Sequence, residues 1–147
     1  MEQSRKYLKL SSIAVLALAF FSMLQLVSEL LFGDINQATI PEGAPDNILL
    51  ITRIILFAVA FLLMLPNIYI GIKGMRIAKN PNASKAHIVW AIILLAFACL
   101  SIIEPVVTCV SDGVKYENIS AVLSIAVEIM VFFEYIKYAM AVRKNVA

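Results

Sequence analysis

Four apolar stretches, Leu8 to Phe32, Ile48 to Ile72, Ala86 to Val110 and Ile119 to Val142, take up most of this 147-residue chain. Each reaches the length of about 20 residues that a helix needs to cross a hydrocarbon core of roughly 30 Å. Four such stretches in so short a chain leave too little polar surface for a soluble domain. With 62% hydrophobic and only 15% charged residues, the chain departs far from the soluble average of about 25% charged, and lipid is the solvent it is built for. The expected fold is all-α: one integral membrane domain over residues 1–147, an antiparallel four-helix bundle with helices at about 8–32, 48–79, 84–110 and 119–142. The first stretch has a basic flank and an Ala17-Leu18-Ala19 segment that resembles a signal-peptide cleavage site. Its apolar run continues to Phe32, so a retained helix is expected.

Orientation follows from the cations, because short loops rich in Lys and Arg stay in the cytoplasm. One side collects Arg5, Lys6, Lys9, Lys73, Arg76, Lys79, Lys85, Arg143 and Lys144. The other holds Lys115 beside Asp34, Glu42, Asp46, Asp112 and Glu117. Both termini and the middle connection are therefore expected in the cytoplasm, in a multi-pass protein of the plasma membrane. Topology accounts for the net charge of +2, and nucleic-acid binding is not inferred from it.

The joints are legible. Gly33, Pro41, Gly43 and Pro45 mark the first outer loop, with Asp46 as the expected N-cap of the second helix. Pro81 ends that helix near Lys79. Pro66 and Pro105 each remove a backbone hydrogen bond and are expected to kink the second and third helices. Gly71 and Gly74 allow close approach on the second.

Helices in lipid gain little from the hydrophobic effect between them, so small and polar residues should mark the packed faces. In the outer half of the first helix Ser22, Gln25 and Glu29 share one face at i, i+3 and i+7. The third repeats the spacing with Ser101, Glu104 and Thr108, the fourth offers Ser120, Ser124 and Glu128, and the second contributes Thr52 and Arg53. These stripes predict an acidic crevice in the outer leaflet, lined by Glu29, Arg53, Glu104, Glu128, Gln25, Ser101 and Ser124. Glu128 lies ~14 Å along its helix from Ile119, near the midplane, where an ionised carboxylate costs at least about 2.5 kcal/mol on insertion scales. It should be protonated, paired with Arg53 or wetted. Arg53 bridging two carboxylates as a purely structural pin is the plainest account of the set; a cation or proton site and a buried protein contact are the others.

Elsewhere the residues are less demanding. Glu134 and Lys137 stand at i and i+3 and can pair. His87, the single histidine, is expected at the interface, and one histidine excludes a bis-histidine haem or a multi-His metal centre within the chain. Cys99 and Cys109 lie ~15 Å apart by helical rise, too far for a disulfide. No cofactor, no metal and no enzymatic activity are expected.

The segment Gly71-Ile72-Lys73-Gly74-Met75-Arg76-Ile77-Ala78-Lys79-Asn80-Pro81, followed by Lys85-Ala86 and the third apolar run, resembles a cytoplasmic turn of small uncharacterised four-span membrane proteins of Gram-positive bacteria. The resemblance is confined to the middle hairpin and implies a bacterial plasma membrane and four spans, with no activity and no site residues. In size and span number the chain also resembles small multidrug transporters. It departs from them where their first helix carries a mid-membrane glutamate, since Val15 to Phe21 holds no acid.

The functional expectation is a non-enzymatic accessory or interaction protein of the bilayer that self-associates or docks on another membrane protein. The alternative is a small oligomeric proton- or cation-coupled transporter or channel using the intramembrane glutamates.

Overall fold

The computed structural model describes residues 2–32, 46–81, 84–111, 113 and 115–145, without the side chains of 29–32, 46–49, 53, 56, 60, 63, 117 and 118. Five helices follow in order: α1 (Glu2–Phe32), α2 (Asp46–Lys79), α3 (Ala86–Ser101), α4 (Ile103–Ser111) and α5 (Tyr116–Lys144), with no strand among the described residues. Taken with α3 and α4 as one span, the chain has four helices long and apolar enough to cross a membrane. By that measure it is an all-helical, multi-pass membrane protein. The N-cap side chain expected of Asp46 lies outside the described residues.

The third span is divided at Ile102, three residues before Pro105. Pro105 has no N–H for the Ser101 carbonyl, and its ring crowds that carbonyl. Ile102 nevertheless keeps helical dihedrals (φ −71°, ψ −20°), and amide bonds continue on both sides, Ile102 to the Ala98 carbonyl and Val106 to the Ile102 carbonyl, each 3.2 Å. The result is a loosened turn within a continuous span. Pro66 sits inside α2 without dividing it. Between α4 and α5, Gly113 takes φ +83°, a left-handed conformation that glycine adopts without penalty.

Helix α1 lies against α2 and α5; α3 lies against α5 and α2, and α4 rests on α5. The buried residues recur at heptad-like spacing on each span. They are Leu8, Ser11, Ser12, Val15 and Ala19 on α1; Met64, Ile70, Gly71, Gly74, Ile77 and Ala78 on α2; His87, Ile88, Ala91 and Ala98 on α3; Phe132, Tyr135, Ile136, Ala139 and Val142 on α5. Side chains three and four residues apart share a helix face, so each helix presents one narrow seam. All four seams meet at the end of the bundle that carries the termini and the basic residues. At the other end α4 has no buried residue, and Val110 is 83% exposed.

Two features draw the basic end together. Arg5 reaches from the first turns of α1 to the end of α2, donating Nε–H to the Ala78 carbonyl (2.8 Å) and an Nη2–H to the Lys79 carbonyl (2.6 Å). The last carbonyls of a helix have no intrahelical donors and carry its negative dipole end, so the guanidinium satisfies both needs. The second feature is the absence of a side chain at Gly74. A Cβ there would collide with Ser12 Oγ and stand 2.6 Å from Tyr135 Cε2 and 2.8 Å from its hydroxyl. At Gly71 a Cβ would stand 2.7 Å from Leu16 Cδ2 and 3.1 Å from the Ser12 carbonyl. The close approach expected at these glycines is what α1 and α5 use to reach α2.

Gly74→Ala is therefore expected to destabilise the bundle by about 1–3 kcal/mol, the usual cost of overpacking, and by more than Gly71→Ala, where the flexible Leu16 can move aside. Arg5→Ala should cost about 1–2 kcal/mol through two lost charged hydrogen bonds. Unfolding by sodium dodecyl sulfate in mixed micelles, followed by circular dichroism, measures both.

Candidate functional site

Two polar constellations occupy opposite ends of the bundle, and they are built differently. The sequence-predicted crevice belongs to the acidic end. The side chains of Glu29 and Arg53 lie outside the described residues. Gln25, Ser101, Glu104 and Ser124 occupy positions left exposed by the rest of the chain, and Glu128 is half-buried on α5. The Ser101 hydroxyl donates to the Phe97 carbonyl (2.9 Å) and that of Thr108 to the Glu104 carbonyl (2.9 Å). Both bonds stay within one helix, as hydroxyls in apolar helices commonly do, and link no second span. Glu104 stands on α4, surrounded by exposed Ile103, Val106 and Val107.

The basic end holds buried polar groups that the sequence stripes did not single out. Tyr135 is fully buried, and its hydroxyl donates to the Ile70 carbonyl on α2 at 3.1 Å. Ser12, also fully buried, donates to the Leu8 carbonyl at 2.6 Å, and Ser11 to the same carbonyl at 3.1 Å. Ser12, Gly74 and Tyr135 thus converge where α1, α2 and α5 meet.

His87 corrects an expectation. Its side chain does not lie on the surface of the bundle but is 1% exposed, with its ring edge-on to Tyr135 at 6.1 Å between centroids and 88° between planes. Neither of its ring nitrogens has a hydrogen-bond partner among the described residues. The physical reason is its place on the α3 seam: Ala91 and Ala98, at i+4 and i+11, are small enough to bring α3 against α5, and His87 lies on the same face. The regular spacing of His87, Ala91 and Ala98, and of Phe132, Tyr135, Ala139 and Val142, was the signal available in the sequence.

Around this core the surface is amphipathic. Tyr7 and Tyr138 stack across α1 and α5 with centroids 4.9 Å apart, and Lys137 Nζ lies 5.1 Å from the Tyr138 ring centre. Lys137 pairs with Glu134 at 3.3 Å, as their spacing predicts, with both side chains well exposed. On the opposite flank of α1, Glu2, Arg5, Lys6, Lys9, Ala78 and Lys79 line an open cleft of about 640 Å³. Cys99 and Cys109 are free, Cys99 being exposed. Among the described residues no three metal-ligating side chains come together.

The hydroxyl of Tyr135 bridges two spans, whereas that of Ser12 serves its own helix. Tyr135→Phe should accordingly cost about 1 kcal/mol, the scale of an interhelical hydrogen bond in a membrane protein, and Ser12→Ala less than about 0.5 kcal/mol, in the same detergent unfolding assay. Compared with known proteins, the chain matches no family model, no curated protein and no solved structure.

Proposed function

We propose that this chain is a non-enzymatic accessory protein of the plasma membrane. In this reading it is an antiparallel four-helix bundle with both termini cytoplasmic, and it assembles through its transmembrane helices with another copy or another membrane protein. The observation that carries the reading is Glu104. It stands about seven residues, ~10 Å by helical rise, from the end of α4, on a helix with no buried residue. A carboxylate turned to hydrocarbon is costly, and intramembrane ionisable groups are met by partners or water. Among the described residues no side chain pairs with Glu104, and in this reading a contact from outside the chain supplies that partner and covers the apolar faces beside it. The limited cover of the spans supports the same reading: 17–22% of the most apolar window of each is buried within the chain.

Exposed Cys99, five residues before Glu104 on the same span, reports on self-association. Oxidative crosslinking in native membranes is expected to give a disulfide-linked dimer that Cys99→Ala abolishes. Glu104→Gln should reduce it about fivefold, the equivalent of about 1 kcal/mol of interhelical hydrogen bonding. A chain that stays monomeric in its native membrane and copurifies with no other membrane protein overturns the reading.

A second reading, an oligomeric proton- or cation-coupled transporter or channel, draws on Glu128 alone: a half-buried carboxylate about 18 Å from the start of α5, near the middle of its span. It requires proton or monovalent-cation flux in proteoliposomes that Glu128→Gln abolishes.

A further inference from the structure

We propose that the cleft between the start of α1 and the end of α2 is a binding site for the headgroup of an anionic phospholipid. Four cationic side chains, Arg5, Lys6, Lys9 and Lys79, line it against one carboxylate, Glu2, and its volume is about 640 Å³. Such a balance of charge favours an anion, and basic pockets between membrane helices are suited to acidic headgroups.

The cleft is built by the fold. Lys79 closes α2, some 70 residues along the chain from Lys6 and Lys9, and is brought to them by the bonds from Arg5 to the Ala78 and Lys79 carbonyls. Those bonds fix the guanidinium and leave its remaining N–H donors for an acceptor. A planar, prearranged fork suits phosphate oxygens. Lys6, Lys9 and Lys79 are exposed, and their ammonium groups donate no hydrogen bond to the described residues, so those groups are available to the same ligand.

Depth selects a lipid over a soluble anion. Lys9 stands one turn, ~6 Å, beyond Arg5 toward the bilayer centre, between Leu8 and Leu10 at the start of the first apolar run. A ligand contacting the whole set spans the headgroup layer and the edge of the hydrocarbon. An amphiphile does so while keeping its acyl chains beside the apolar face of α1, where Leu10 and Ile13 are exposed.

The inference rests on the membrane-spanning helices and not on the assembly partner. A monomeric chain that still prefers anionic lipid therefore counts against the proposed function alone. The test is thermal unfolding of the purified full chain in a neutral detergent, titrated with dioleoylphosphatidylglycerol, dioleoylphosphatidylcholine or inorganic phosphate. Phosphatidylglycerol is expected to raise the midpoint where the other two do not. The triple variant Lys6→Gln, Lys9→Gln, Lys79→Gln should weaken its apparent affinity at least about tenfold. The triple variant Arg76→Gln, Lys85→Gln, Lys144→Gln, equal in charge, at the same end and outside the cleft, should leave it unchanged. Equal stabilisation by phosphatidylcholine, equal stabilisation by inorganic phosphate, or an equal loss in the second triple variant each overturns the site. Native mass spectrometry of the wild type from an equimolar mixture of the two lipids is independent of any variant: preferential retention of phosphatidylglycerol supports the site, and equal retention overturns it.

Discussion

Helices already in lipid cannot associate by expelling water from between them, so their contact depends on how closely their backbones approach. In this bundle that approach is concentrated at Gly74. The missing Cβ leaves room for Ser12 from α1 and the Tyr135 ring from α5 at one level of α2, and the Tyr135 hydroxyl then reaches the Ile70 carbonyl. Leu8, Val15, Ile77, Phe132 and Val142 close around this point. Their dispersion contacts are individually small and collectively large, and they form only if α1 and α5 are held at the distance that a glycine on α2 permits.

The bundle is consequently uneven along its length. Its basic end is closed, drawn together by the heptad-like seams and by Arg5 over the final carbonyls of α2. Its acidic end leaves α4 without a fully buried residue, with the loosened turn at Ile102 between the two regimes. The polar chemistry divides in the same way. At the basic end the Tyr135 hydroxyl joins two spans through the Ile70 carbonyl, while those of Ser11 and Ser12 bond within α1. At the acidic end Glu104 stands on an exposed surface, and the hydroxyls of Ser101 and Thr108 donate to carbonyls of their own span. A closed end suited to stability and an open end suited to contact are the physical basis for reading the chain as an interaction protein.

Arg5 shows how one residue serves both local structure and surface chemistry. Without the guanidinium the last carbonyls of α2 would lack these donors. Without the helix end to hold it, the guanidinium would be one more mobile cation beside Lys6. Held in place, it sets the wall of a cleft whose other cations come from two helices distant in sequence.

The class of the protein was written in its sequence: four apolar runs and their polar joints dictate four membrane-length helices, because length and hydropathy are local properties. Pairing of Glu134 with Lys137 and close approach at the two glycines were legible for the same reason, since each follows from spacing or side-chain size. The location of the packed core was not. Polar stripes on each helix drew attention to the acidic half, whereas the seams that meet in the structure run through the basic half, where Ser12, His87 and Tyr135 look unremarkable among apolar neighbours. Periodicity gives each helix a face but not its rotation against the others; that is set by where Gly74, Ala91 and Ala98 let helices come together. Burial of His87, the bond from Tyr135 to Ile70, and the meeting of Arg5 with Ala78 and Lys79 all join residues far apart in the chain, and only the tertiary structure decides such contacts.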